Sequence, residues 1–187
     1  MTRTSTFDFE YDPSVADFAV SKRAYLDAHS DVSYHYIATS ALVIDTRYVS
    51  IPRVLLLQRA ASDSKPNLWE PPGGACDDED ASILNGAARE LLEEAGLRAT
   101  RITELVGDPH FFTTRSGKLV CRFYFAALVD ISDENTPVVK LNPKEHQQFV
   151  WATLDEVKAK QVGDIALQFT RDEVHQTVLR ALQSTNN

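Results

Sequence analysis

The sequence predicts an α/β domain. Three observations carry that expectation. Runs rich in β-branched and aromatic residues recur along the chain. They are interleaved with stretches of helical periodicity. A length of 187 residues with 43% apolar and 25% charged side chains is ordinary globular composition, enough to close an apolar core without staples.

From the N-terminus, Asp12-Pro13 opens a helix with Val15, Phe18, Ala19, Tyr25 and Leu26 at roughly helical spacing, ended near His29-Ser30-Asp31. Residues 1–33 therefore read as a helical N-terminal extension, and residues 34–187 as the main domain. Tyr34 to Ile44 reads as a strand, Asp45-Thr46-Arg47 as a turn, and Val54–Leu57 as a short buried strand that Gln58-Arg59 leaves. Ala60 to Ser82 holds four prolines and glycines in the run Pro71-Pro72-Gly73-Gly74, with Pro66 before it and Asp77-Asp78-Glu79-Asp80 after it. It reads as a long shaped loop, the kind that carries function. Ile83 to Ala95 reads as a helix that Gly96 terminates. Val120–Val129 is a strand, 130–144 a loop, and Phe149-Val150-Trp151 a short strand. Thr153-Leu-Asp-Glu156 and Thr170-Arg-Asp-Glu173 both match the capping box that starts a helix.

Charge and cysteine usage narrow the function. Nineteen basic against 27 acidic residues give a net charge of -8, which disfavours nucleic acid and anionic membrane as partners but leaves room for a local basic pocket. No apolar run is long enough to span a bilayer, and no secretory leader is expected. Cys76 and Cys121 lie in no metal-cage spacing, which points to a reducing, cytoplasmic setting.

The chemistry concentrates on the helix around Glu90. Leu84, Ala87, Ala88, Leu91 and Ala95 gather on one face, while Glu90, Glu93 and Glu94 share another side. Like charges at this spacing repel, and a hard cation such as Mg²⁺ offsets the repulsion through carboxylate oxygens. The preceding Gly73-Gly74 pair lets a ligand approach the backbone closely and can present a carbonyl to the same cation. Such an ion neutralises phosphate and activates water.

Gly74 followed by Arg89-Glu90-Leu91-Leu92-Glu93-Glu94-Ala95-Gly96-Leu97 resembles the signature of the Nudix hydrolases. The helical half matches throughout. The loop half is one residue longer and has Asp80 where glutamate is usual. Trp69-Glu70-Pro71-Pro72-Gly73-Gly74 is similar to that family's approach to its signature. The resemblance is specific over Trp69–Leu97 and looser over Tyr34–Lys160. It implies an α/β/α sandwich around a mixed sheet and a Mg²⁺- or Mn²⁺-dependent hydrolase. Its substrate would be a nucleoside diphosphate linked to another moiety, or another small-molecule diphosphate. In this resemblance Glu90, Glu93, Glu94 and Arg89 are the catalytic set, and Gly74, Glu90, Glu93 and Glu94 hold the metal. Glu90 is the first choice to activate water. Arg89 positions the neighbouring glutamates. Arg59, Glu134 and Glu145 are the candidates toward substrate, the two glutamates as acids beyond the signature.

Further residues have two readings. His110 and His146 could meet phosphate, against a surface or capping role. Phe111, Phe112 and Tyr124 could stack on a base, against a core role. Lys140 and Lys144 could meet phosphate, against plain solvation. Trp151 reads as core. A homodimer is compatible with the sequence. The competing class is a catalytically inactive nucleotide-binding or regulatory module on the same fold. An mRNA-decapping enzyme is disfavoured by the acidic balance, and an isoprenoid-diphosphate isomerase by the contexts of Cys76 and Cys121. No residue downstream of the signature selects a substrate subgroup.

Overall fold

A computed structural model describes residues 8–46, 51–130 and 137–185. Its elements are β1 (Glu10–Tyr11), a 3-10 helix (Pro13–Phe18), α1 (Lys22–Ala28), β2 (Tyr36–Asp45), β3 (Arg53–Arg59), β4 (Trp69–Glu70), β5 (Gly73–Ala75) and α2 (Ile83–Ala95). There follow β6 (Ala99–Leu105), β7 (His110–Thr113), β8 (Leu119–Val129), β9 (His146–Thr153), α3 (Leu154–Ala159), β10 (Gln161–Val162), β11 (Ile165–Ala166) and α4 (Asp172–Ser184).

The main sheet runs β1-β6-β8-β2-β3-β4, with β5 on β2, β7 on β8 and β9 on β3. It is mixed: β2 and β8 are parallel, as are β1 and β6, and the other pairs are antiparallel.

Period-two alternation in the central strands explains the layers, because successive side chains leave opposite faces of a sheet. Ala41 and Val43 of β2 and Leu55 and Leu57 of β3 pack with Ala88, Leu91 and Ala95 of α2. Their neighbours Leu42, Val54 and Leu56 pack with Val174, Val178, Ala181 and Leu182 of α4 on the opposite face. β8 divides the same way, Phe123 and Phe125 facing Ile83 and Leu84 while Tyr124 faces α4. Both faces are thus covered, and the result is the expected α/β/α sandwich. No helix among the described residues is long and apolar enough to cross a membrane.

The structure corrects several sequence expectations. The N-terminal helix is two pieces: the 3-10 turn stops at Phe18, and Ser21 starts α1 afresh by accepting the Ala24 N–H. Phe18 and Tyr25 then stack and pack on Phe123, so this segment shares the main core. The expected loop over Ala60–Ser82 contains β4 and β5, and the short strand at Phe149 extends over all of β9. Thr153 forms its full capping box with Glu156. Thr170 does not form one: Arg171 is the N-cap of α4 without a side-chain cap, and the Thr170 hydroxyl is turned to Glu70 instead. Arg47, at the end of the expected turn, and Glu134 lie outside the described residues.

Candidate active site

The site is assembled on α2. Ser82 accepts the Asn85 N–H to start the helix, and Gly96 ends it in the left-handed region with φ 68°. Ile83, Leu84, Ala87, Ala88, Leu91 and Ala95 are buried, which fixes the rotation of the helix on the sheet. That rotation separates the three glutamates. Glu94 turns inward and is 6% exposed, Glu90 is half-buried, and Glu93 is exposed.

Glu94 has no guanidinium or ammonium partner among the described residues. Its Oε2 accepts the Gly73 N–H at 2.7 Å. Burial pushes its carboxyl well above the usual range against that hydrogen bond, and the charges of Glu90, Glu70 and Glu145 push the same way. Glu90 is also raised by burial, with Glu93 and Glu145 adding to the effect and Arg89 opposing it. Gly74 has a specific steric reason. A Cβ there would lie 2.6 Å from Glu90 Oε1, so any other residue would push this carboxylate from its place against the chain.

Arg89 organises the opposite edge. Its Nη1 donates to Glu90 Oε1 and Glu93 Oε2, each at 3.0 Å. Its Nη2 donates to the Ala75 carbonyl at 2.8 Å. Nε and Nη2 together grip Asp80 at 2.9 and 3.1 Å. Asp80 is buried and also accepts the Asp77 N–H at 2.8 Å. The aspartate in the lengthened loop thus closes that loop and anchors Arg89. It is turned away from open solution, as a structural acid is.

The closest set of metal-capable donors among the described residues joins Glu94 to Glu145 and His146, with one ligand atom of each within 4.8 Å of the others. The backbone explains this meeting. Lys140 N–H donates to the Ala95 carbonyl at 2.8 Å and Asn142 N–H to the Glu94 carbonyl at 3.1 Å, and Asn142 accepts the Glu145 and His146 amides. His146 is not the surface residue expected from sequence. It is 2% exposed, and neither ring nitrogen has a hydrogen-bond partner among the described residues. Burial lowers its pKa. A buried carboxylate without a cation, an exposed acid beside it and an unpartnered imidazole are the donor set that a divalent ion satisfies.

A cleft of about 190 Å³ borders β4, lined by Arg59, Lys65, Glu70, His110, Phe112, Arg122 and Arg171 among others. Arg59 is ion-paired with Glu70 and with Asp63, whose carboxyl is lowered to about 2 by hydrogen bonds from Arg59 and Lys65 despite some desolvation. Arg122 reaches Glu70 at 3.6 Å. Sequence reasoning missed Glu70, Lys65, Arg122 and Arg171. Two of them carried a signal: Glu70 stands in the run that leads into the signature, and Arg122 is an arginine in the apolar strand Leu119–Val129.

Of the aromatic candidates, Tyr124 is 1% exposed in the core. Phe112 is covered by Arg122 and Arg171, 5.5 and 4.8 Å from its ring centre. Phe111 is exposed and leans on Tyr34. His110 lines the cleft, facing Thr177 Oγ1 at 3.2 Å, and Trp151 is half-buried. The side chains of Lys140 and Lys144 are exposed.

A family model described as the NUDIX domain matches residues 35–172. The m7GpppN-mRNA hydrolase NUDT17 of Bos taurus is 48% identical over 46 residues, which are 24% of this chain and 15% of that protein. Among solved structures, a MutT protein from Methanosarcina mazei Go1 superposes with a TM-score of 0.57 at 24% identity, over 81% of this chain and 95% of that one. The NUDIX domain of Shewanella oneidensis NrtR, complexed with ADP ribose, gives 0.61 at 19% identity, over 87% of this chain and 97% of the other.

Proposed function

Because this chain belongs to the family defined by the NUDIX domain, we propose that it is a divalent-metal-dependent hydrolase. It cleaves a pyrophosphate bond in a nucleoside diphosphate linked to another moiety. The hydrolase domain in this reading spans residues 34–187, with 1–33 as an extension whose described part, from residue 8, packs on it. The observation that carries the reading is Glu94: a buried carboxylate, raised by burial, that faces Glu90 and Glu145 with no cation of the protein's own. Such a carboxylate is costly to keep charged without a cation, and a bound divalent ion offsets that cost.

Mg²⁺ or Mn²⁺ held by Glu94 together with Glu145 and His146, with Glu90, Glu93 and the Gly74 backbone as the further donors the signature implies, would neutralise phosphate charge and acidify a bound water. The residues of the chain do the rest. Glu90, tethered by Arg89, is placed to accept the proton of the attacking water. Its raised pKa moves it toward the range in which a carboxylate is an effective base. Arg89 acts as a positioning residue, since its five donors are spent on Asp80, Glu90, Glu93 and Ala75. Arg59 lies beside the cleft where substrate phosphates would enter.

The test is incubation with a panel of nucleoside triphosphates, sugar nucleotides, dinucleotides and coenzyme A, with Mg²⁺, with Mn²⁺ and with chelator, reading products by chromatography. Hydrolysis at a pyrophosphate bond that chelation abolishes supports the reading. Tight nucleotide binding with no turnover by any member transfers the chain to the binding-module class.

A further inference from the structure

The cleft beside β4 carries more positive charge than the protein uses. Four cations line it, Arg59, Lys65, Arg122 and Arg171, against two carboxylates, Glu70 and Glu173. Glu173 is exposed at the rim. Glu70 is already divided between Arg59, Arg122 and the Thr170 hydroxyl. Arg59 is further neutralised by Asp63.

Two cations are left over. The Lys65 ammonium donates to the Thr170 carbonyl at 2.9 Å, a neutral acceptor. The Arg171 guanidinium packs on the Phe112 ring. Neither has a carboxylate within ion-pair distance among the described residues. The cluster is therefore self-repelling: burial and the charges of Arg171, Arg59 and Arg122 all depress the Lys65 ammonium, opposed by Glu70. In a chain of net charge -8, four cations gathered in one concavity and left half-neutralised need an anion from outside.

The cleft also has a place relative to the candidate active site. Glu70 ends β4, three residues before Gly73, and its charge acts on Glu94. Arg59 lies across the β3–β9 pair from His146. A cavity of about 190 Å³ is smaller than the roughly 300–1,000 Å³ of a site for a whole ligand, so it takes one end of a molecule whose middle lies over the acids.

Resting on the hydrolase reading above, we infer that Lys65, Arg171 and Arg122 form a subsite for a dianionic phosphoryl group at the far end of the substrate, beyond the scissile pyrophosphate. The charge balance selects the group. A phosphate monoester carries about −1.5 to −2 charges at pH 7, matching two unneutralised cations, whereas a carboxylate supplies one. A planar guanidinium and a compact ammonium together suit its three oxygens. The phosphoryl group has two sources: a monoester on the distal sugar or the end of a polyphosphate chain.

Matched ligand pairs separate these sources. Equilibrium binding to the full chain is measured by calorimetry, metal omitted, for NADPH against NADH, coenzyme A against dephospho-coenzyme A, and a nucleoside triphosphate against its diphosphate. We expect at least a tenfold tighter Kd for the phosphorylated member of one type of pair. Lys65→Gln and Arg171→Gln, each checked for unchanged thermal unfolding, should each collapse that ratio toward one. Equal affinities within every pair, no binding of any phosphorylated member, or a ratio untouched in both variants would overturn the subsite. Turnover with metal is read separately on the same ligands. Hydrolysis without the preference removes the subsite and keeps the hydrolase, and preference without hydrolysis does the reverse.

Discussion

Two charge clusters flank the Gly73-Gly74 strand, and each is the inverse of the other. At Arg89 a single guanidinium is shared by Asp77, Asp80, Glu90 and Glu93. At Glu70 a single buried carboxylate is shared by Arg59, Arg122 and the Thr170 hydroxyl. In both, one ion holds several of the opposite sign and leaves a remainder. Beyond Arg89 the remainder is negative, Glu94 and Glu145. Beyond Glu70 it is positive, Lys65 and Arg171. On the reading proposed above, the protein neutralises what it needs for rigidity and leaves uncancelled the charges that would face a ligand.

Breaking the acidic remainder should have the largest effect. Glu90→Gln or Glu94→Gln is expected to lower kcat at least a hundredfold on the substrate the panel identifies. That corresponds to roughly 3 kcal/mol of barrier, within the usual range for positioned proton transfer before metal activation is added. Stability should move the other way. The folded pKa of Glu94 lies above its unfolded value, so its charge destabilises the metal-free fold at pH values above the folded pKa. The penalty vanishes as pH falls through that value toward about 4.5. Metal-free Glu94→Gln should therefore unfold at a higher Tm than the parent at neutral pH, with the gap closing in acid. A parent Tm equal to the variant's throughout would sink this account of Glu94.

Glu70→Gln attacks the other hub. It removes the negative charge that Arg59 and Arg122 share and leaves Arg122 without a carboxylate, a change expected to cost about 3 kcal/mol. At roughly 2–4 °C per kcal/mol for a chain of this size, scanning calorimetry should show a drop of roughly 6–12 °C. Asp80→Asn is the milder counterpart on the acidic side. The amide can still accept one bond from Arg89, but its NH2 group meets a donor on Arg89 or Asp77. A loss of about 1–2 kcal/mol by denaturant titration is expected. Glu93→Gln comes last. Its ion pair with Arg89 is 54% exposed on the glutamate side, so unfolding should shift by less than about 1 kcal/mol. Any larger loss of activity in Glu93→Gln would then report on metal or water, not on folding.

What was legible in the sequence was what local rules encode. The helix α2 was readable because its apolar stripe and the terminating Gly96 agree, and the structure adds the Ser82 cap. Thr153 announced α3 for the same reason. Thr170-x-x-Glu173 satisfied the same pattern and failed, because the Thr170 hydroxyl had a better partner 100 residues away in Glu70. β4 and β5 are two and three residues long, too short for any periodicity, and exist only because β3 and β2 are there to pair with. The role of Arg89 as a tether follows from neighbours within its own signature. The Glu70 hub does not, since Arg59, Arg122 and Thr170 come from three separate segments. His146 was misjudged because a histidine after Glu145 looks like loop until the pairing of β9 with β3 buries it.

The anchoring of Lys140 and Asn142 on the last carbonyls of α2 has a consequence for how this chain tolerates change. The acid that comes from outside the helix is measured from the end of that helix, not from β8 before it. A single residue added between Asn142 and Glu145 would shift the acid out of reach of Glu94.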